Sequence, residues 1–336
     1  MTNTPDLKIE NGVLIGRDGD LFLAGGKHEI VEFILGRELP ARTTQLLHDN
    51  IVRRQMLSQH YNSEFLQLVA PEKYMVQSEN FPVPQPGHFA SAYLAKRFDD
   101  LVYPVAELRA AKGGRAYSQT DSHWSLHGLI AIAGLVARRA GMNATSVDAV
   151  LDPVAASIKA DGGSFVGDLG RKLSVQQGEP RLRFDTVFNH KTYENGMGHD
   201  FKKPINDGRL IVIESPDSAT EQTLLIFGDS YIFHALNLLA LFFRKIVFCR
   251  SRFFHEEIVM MVRPNLIISQ MAERYMGSVA SDMAAPPFML VPYLLERPVA
   301  MDVNTALAFT RVLSAGRNFD PAVFGMRPQQ IATTNN

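Results

Sequence analysis

Four short, almost uninterrupted apolar runs in the second half of the chain constrain its fold more than any other feature: Leu210 to Glu214, Thr223 to Phe227, Ile246 to Cys249 and Leu266 to Ser269. A strand with one wet face alternates apolar and polar residues. A continuous apolar run of four or five residues instead suits a strand covered on both faces, as in a parallel sheet. Between the runs, Tyr231 to Phe243 and Phe254 to Val262 carry the spacing of crossover helices. This β-α-β-α-β alternation predicts an α/β fold, a flavodoxin-like three-layer sandwich around a central, mostly parallel sheet.

The first half reads less regularly. Leu7 to Ile9, Val13 to Ile15 and Leu21 to Leu23 are short strands separated by Asn11-Gly12 and by Arg17-Asp18-Gly19-Asp20, which predicts a small β-meander over about 7–24. Helical spacing follows through Ile30 to Ile34 and Leu46 to Met56, then a strand over Phe65 to Val69 that Pro71 ends. Segment 76–92, with Pro82, Pro84, Pro86 and Gly87, reads as a surface loop at the rim of a site. Helices are predicted over 88–98 and 103–112, the second broken by Gly113-Gly114. An extended stretch from Arg115 to Tyr117 then leads to a helix from Leu126 to about Ala140, capped by Ser125. A length of 336 residues accommodates one core or two. The pattern favours one domain over 1–325 with a flexible C-terminal tail over 326–336.

Lys plus Arg (34) nearly balances Asp plus Glu (35), and no basic block occurs, so no nucleic-acid partner is expected. The single cysteine, Cys249, lies inside an apolar strand and reads as a buried free thiol. Charges at Asp6, Lys8, Glu10, Arg17, Asp18 and Asp20 leave no apolar signal-peptide core. The most apolar uncharged run, Tyr231 to Phe243, is short of the roughly 20 residues that span a bilayer. A cytoplasmic protein is therefore expected.

Two weak motifs carry chemistry. Leu224-Leu225-Ile226-Phe227-Gly228-Asp229-Ser230-Tyr231 sets a serine where a buried strand passes into a helix, at the carboxyl edge where open α/β sheets bind ligands. The free amides of a first helical turn face an anion formed there, and Gly228 leaves room for a substrate beside the backbone. Gly-Asp-Ser is equally a helix cap. Asp121 and His123, two apart in an extended segment, project to one face, so that Asp121 orients an imidazole that serves Ser230 as base. His127 extends this to a His-x-x-x-His pair, but too few ligands accompany it, and no metal is expected.

Taken together, Asp121-Ser122-His123-Trp124 followed about a hundred residues later by Gly228-Asp229-Ser230-Tyr231 resembles the AlgX/AlgJ-like SGNH-hydrolase-fold family of alginate and exopolysaccharide O-acetyltransferases, whose motif order is reversed from ordinary SGNH hydrolases. The resemblance extends to Gly16 through Leu23, with Asp20 where the family has Trp, and to Ala70-Pro71-Glu72-Lys73 with Pro82. It continues through Gly167-Asp168-Leu169 and Pro264-Asn265-Leu266-Ile267 with Glu273-Arg274, covering about residues 12–276. It implies an SGNH-hydrolase-like fold with Ser230 as acyl-accepting nucleophile, His123 as base and Asp121 as its orienter. It further implies that Gly167 lends an amide to the oxyanion hole beside that of Ser230. Tyr117 and Trp124 are candidates to line a sugar cleft, with packing as the alternative. Glu273 and Arg274 read as a structural ion pair of the exposed kind.

The activity implied is O-acetyl transfer to a polysaccharide or glycan precursor through an acetyl-serine intermediate, with no bound cofactor. A carbohydrate acetylesterase with the same triad and a non-catalytic glycan-binding or assembly protein stay open. Family members usually work in the periplasm, behind a signal peptide or membrane anchor, with acetyl groups passed on by a membrane acyltransferase within a polysaccharide-synthesis complex. In a cytoplasmic member the donor would be acetyl-CoA; otherwise it is an acetylated partner protein.

Overall fold

The computed structural model describes residues 7–26, 30–83, 98–197, 206–297, 299–314, 317 and 320–324. The predicted helix over 88–98, most of the proline-rich rim and the C-terminal tail lie outside these residues.

The opening meander forms as expected: β1 (Ile9–Glu10), β2 (Val13–Ile15) and β3 (Leu21–Leu23) make a three-stranded antiparallel sheet. Asn11 and Gly12 both take positive φ at its first turn (47° and 77°), the left-handed region that Asn and Gly tolerate. The central sheet has seven strands. In spatial order these are β5 (Leu101–Val102), β4 (Glu64–Ala70), β12 (Leu266–Ala272), β10 (Thr223–Gly228), β11 (Lys245–Arg250), β9 (Leu210–Glu214) and β8 (Lys191–Glu194). The pairs from β5 through β11 are parallel. A two-stranded hairpin, β6 (Ile158–Phe165) with β7 (Glu179–Phe184), stands apart.

One expectation requires correction here. Leu210–Glu214 pairs antiparallel with β11, and β8 antiparallel with β9. Only eight residues separate β9 from β10, too few for the dozen or more of a parallel crossover. The apolar run was right about burial and silent about direction, since a strand covered on both faces looks alike either way.

Alternate residues of the strands enter two cores. Leu66, Leu68, Leu224, Ile226, Ile246, Phe248, Leu266 and Ile268 meet the helices Leu126–Arg139 and Ala144–Ala156 on one face. Phe65, Val69, Leu225, Phe227, Val247, Cys249 and Ile267 meet the helices Ala41–His60 and Glu256–Val262 on the other. These layers make the three-layer α/β sandwich. Cys249 is fully buried, and burial pushes its thiol well above the ordinary value. The predicted helix over 231–243 is broken into two single turns, Ser230–Phe233 and Leu236–Leu239. No helix among the described residues is long and apolar enough to cross a membrane.

Candidate active site

Strand β10 ends at Gly228, next to the end of β12, and Asp229 turns the chain into the helix Ser230–Phe233. Asp229 is the cap: one carboxylate oxygen accepts from the Tyr231 N–H (2.9 Å) and the other from the Ala272 N–H (2.8 Å), while its own N–H donates to Gln270 Oε1 (3.0 Å). The capping reading of Gly-Asp-Ser thus holds for Asp229. Ser230, relieved of that duty, bonds to His123 instead.

The Asp121–His123 stretch is held from several elements. The Thr120 carbonyl accepts from the amides of Leu169 (3.1 Å) and Gly170 (2.9 Å). Glu179 of β7 accepts from the amides of Gln119 (3.0 Å) and Thr120 (2.9 Å) and from Thr120 Oγ1 (2.9 Å). Lys73 Nζ donates to the carbonyls of Ser118 (2.6 Å) and Gln119 (2.8 Å). Burial lowers the Lys73 ammonium to about 8 against the pull of Asp20, which lies 3.4 Å away, is fully buried, and also receives Arg115 and Asn80. Asp20 therefore belongs to a charge cluster behind the Asp121–His123 loop.

Within that frame, His123 Nδ1 lies 2.7 Å from Asp121 Oδ1, and His123 Nε2 lies 2.9 Å from Ser230 Oγ. Asp121 is acceptor-only when ionised, so Nδ1 carries the proton and Nε2 presents its lone pair to the Ser230 hydroxyl. Asp121 also accepts from the amides of His123 (2.8 Å) and Asp168 (2.9 Å). Burial works to raise its pKa, but the hydrogen bond and charge of His123 outweigh it and hold the carboxyl well below the usual range.

The remaining predicted residues take other duties. The Gly167 amide donates to Thr120 Oγ1 (3.1 Å), so it is committed to the loop and does not offer itself to an oxyanion. A Cβ there would meet the Thr120 carbonyl oxygen at 2.3 Å. Gly228 is buried, and a Cβ on it would strike Ile232 at 2.5 Å. Its bareness serves helix packing rather than substrate approach. Tyr117 is fully buried and Trp124 is 5% exposed. Trp124 Nε1 donates to Tyr117 Oη (3.0 Å), and Tyr117 donates to the Pro71 carbonyl, so these rings form the floor of the cleft and are not sugar platforms. The His127 ring occupies the space that a side chain at position 114 would need.

Arg274 and Glu273 are both buried, not exposed, and do not pair with each other. Arg274 meets Glu72 (3.3 Å) and donates to Tyr231 Oη (2.7 Å), while Glu273 accepts from Tyr103 and from the Glu72 amide. Tyr231 in turn donates to the Ser122 carbonyl (2.6 Å), so the residue after Ser230 ties down the loop that carries His123. Asp168, which accepts from the Ser122 N–H and Oγ (both 2.7 Å), and His234, whose ring meets His123 edge-on at 5.4 Å, escaped sequence reasoning as site residues. His234 lies four residues after Ser230, and that spacing was the one available signal.

Asp121, His123 and Asp168 bring three potential metal-ligand atoms within 4.8 Å of one another. Both carboxylates are already engaged, Asp121 by His123 and an amide and Asp168 by Ser122, so the donor set is one of hydrogen bonds rather than an open coordination shell. The Asp121–His123–Ser230 chain of hydrogen bonds opens into a cleft of about 1090 Å³, bordered by Arg181 and Phe184 of the hairpin and by His234, Asn237 and Arg250.

No family model and no curated protein sequence matches this chain. Solved structures do. The O-acetyltransferase domain of Pseudomonas putida AlgJ superposes with TM-score 0.50 at 17% identity, over 85% of this chain and 99% of that one. A DHHW family protein from Eubacterium siraeum gives 0.53 at 15%, over 82% and 95%, and Bacillus cereus PatB1 gives 0.53 at 15%, over 80% and 96%. The chain therefore has the SGNH-like fold of these proteins, as its motifs implied.

Proposed function

We propose that this protein is an O-acetyltransferase that moves an acetyl group to a polysaccharide or glycan precursor by way of acetyl-Ser230. The observation that carries this reading is the unbroken hydrogen-bond chain Asp121–His123–Ser230 (2.7 and 2.9 Å) at the foot of an open cleft. A fold shared with the acetyltransferase domain of AlgJ supports it.

In the first step His123 Nε2 takes the Ser230 proton as Oγ attacks the acetyl carbonyl of the donor. The oxyanion so formed meets the Ser230 N–H, which as the first amide of its helix has no intrahelical acceptor. His123 then protonates the departing donor group, leaving acetyl-Ser230. In the second step an incoming hydroxyl gives its proton to His123, attacks the ester carbonyl, and leaves with the acetyl group as the proton returns to Ser230. Asp121 fixes the imidazole tautomer and steadies the imidazolium in both steps. The donor is an activated acetyl ester or thioester, borne by an acetylated partner or by acetyl-CoA; the acceptor is a glycan hydroxyl.

Water reaching the same intermediate would make the protein a carbohydrate acetylesterase, and the 24% exposure of the His123 side chain favours that as the second reading. The test is nitrophenol release and acetyl-enzyme mass with p-nitrophenyl acetate, for the wild type and Ser230→Ala. A burst and a mass gain that both vanish in Ser230→Ala are expected. A folded wild type that forms no acetyl-enzyme would overturn the reading and favour a glycan-binding or assembly role.

A further inference from the structure

His234 has a position that its packing does not explain. It begins the turn after Ser230 on the same helical face, its N–H donating to the Ser230 carbonyl (3.4 Å), and its ring lies 5.4 Å from that of His123 at an interplanar angle of 80°. The imidazole of His123 is thereby flanked by two rings: Tyr231, 1% exposed and 4.8 Å away on the core side, and His234, exposed in the cleft. Tyr231 spends its hydroxyl on Ser122 and Arg274. The imidazole nitrogens of His234 have no hydrogen-bond partner among the described residues, and its ring neighbours are His123 and Phe233. A histidine kept for structure usually has its nitrogens satisfied; this one leaves a donor and an acceptor unpaired beside the general base.

Any hydroxyl that attacks acetyl-Ser230 must place its oxygen within roughly 3 Å of His123 Nε2. Tyr231 closes the core side, so the hydroxyl comes from the cleft, where the His234 ring already stands against His123. We propose that His234 binds the acceptor, hydrogen-bonding the attacking hydroxyl or its neighbour on the sugar, and so sets the balance between transfer to a polyol and loss of the acetyl group to water. The inference rests on the acetyl-Ser230 mechanism above and adds the residue that chooses its acceptor. Partial burial first, and the nearby charge of His123 second, lower the His234 imidazole to about 4; Asp121 and Asp229 pull the other way and Arg250 adds to the lowering. A neutral ring offers both a donor and an acceptor to a hydroxyl, and it does not compete with His123 for the proton.

The test uses the whole chain with p-nitrophenyl acetate as donor and 1 M glycerol as the acceptor probe. It reads the nitrophenol burst rate and, by NMR, the ratio of glyceryl acetate to free acetate. In His234→Ala the ratio is expected to fall about tenfold, the worth of one hydrogen bond, while the burst rate changes less than threefold; His234→Gln, which keeps a donor and an acceptor, is expected to recover most of the ratio. An unchanged ratio in His234→Ala overturns the proposal, as does a burst rate that falls as far as the ratio, which would mean that His234 acts on the acylation step. A wild type that bursts but makes no glyceryl acetate overturns it too. A folded wild type that neither releases nitrophenol nor forms an acetyl-enzyme sinks the acetyl-serine reading itself, and the acceptor role falls with it.

Discussion

Tyr231→Phe removes one oxygen atom and no packing volume of consequence, which makes it a clean probe of how the Ser230 turn and the His123 loop are joined. The hydroxyl donates to the Ser122 carbonyl at 2.6 Å and accepts from Arg274 Nη2 at 2.7 Å, all in the protein interior. Without it, a buried carbonyl and one N–H of a buried guanidinium lose their partner; Glu72 continues to hold Arg274. A buried polar group left unsatisfied costs ~1–3 kcal/mol, and the charged donor belongs at the upper end, so the substitution is expected to cost about 3 kcal/mol. That is a large share of the ~5–15 kcal/mol that keeps a domain folded. Urea unfolding should show a lower midpoint at unchanged slope. Because Ser122 lies between Asp121 and His123, formation of acetyl-Ser230 should also slow by about tenfold, a modest misplacement on the scale of such effects. A stability loss under about 1 kcal/mol would refute the claim that this hydroxyl ties the two halves of the site together.

Gly167→Ala places a Cβ 2.3 Å from the Thr120 carbonyl oxygen and 2.6 Å from Asp121 Cβ, so the loop must shift; a loss of about 2 kcal/mol or more, with a smaller acetyl-enzyme burst, is expected in thermal unfolding and stopped-flow assays. Glu257 gives a pH prediction. Burial works to raise its carboxyl, but the His255 hydrogen bond and the Phe288 N–H outweigh burial and bring it to about 2 from an ordinary 4.5. The folded value lies below the unfolded one, so the unfolded chain takes up the proton first as pH falls. The advantage of wild type over Glu257→Gln should be complete above pH 4.5 and fade between 4.5 and about 2, which unfolding midpoints across that range would check; an advantage that persists to pH 2 would contradict the assignment.

Residues that must occupy a strand buried on both faces are recognisable from composition alone, which is why β4, β10, β11 and β12 were legible. Direction was not, because β9 presents the same apolar run to two cores whichever way it points. Asp121, His123 and Ser230 were singled out by their spacing and order, and the structure brings all three within hydrogen-bond reach. Their supporting residues were not. An aromatic ring reads the same whether it will face a sugar or a core, and only the fold shows Tyr117 and Trp124 satisfying each other out of water. Gly167 drew notice for the right spot and the wrong reason: its amide serves the loop. Arg274 looked like a surface charge because its partner, Glu72, lies two hundred residues away in the chain.

Glu179 has a consequence for how such a site changes over evolutionary time. One carboxylate on β7 holds the amides of Gln119 and Thr120, while its neighbours Arg181 and Phe184 border the cleft. Any change of the hairpin that reshapes the cleft therefore acts on the clamp of the Asp121–His123 loop as well. A hairpin grafted from a relative would have to bring its own anchoring carboxylate in register, and libraries that randomise β7 should return inactive, poorly folded clones wherever position 179 drifts. The shape of the cleft and the order of the Asp121–His123 loop are inherited together in this protein.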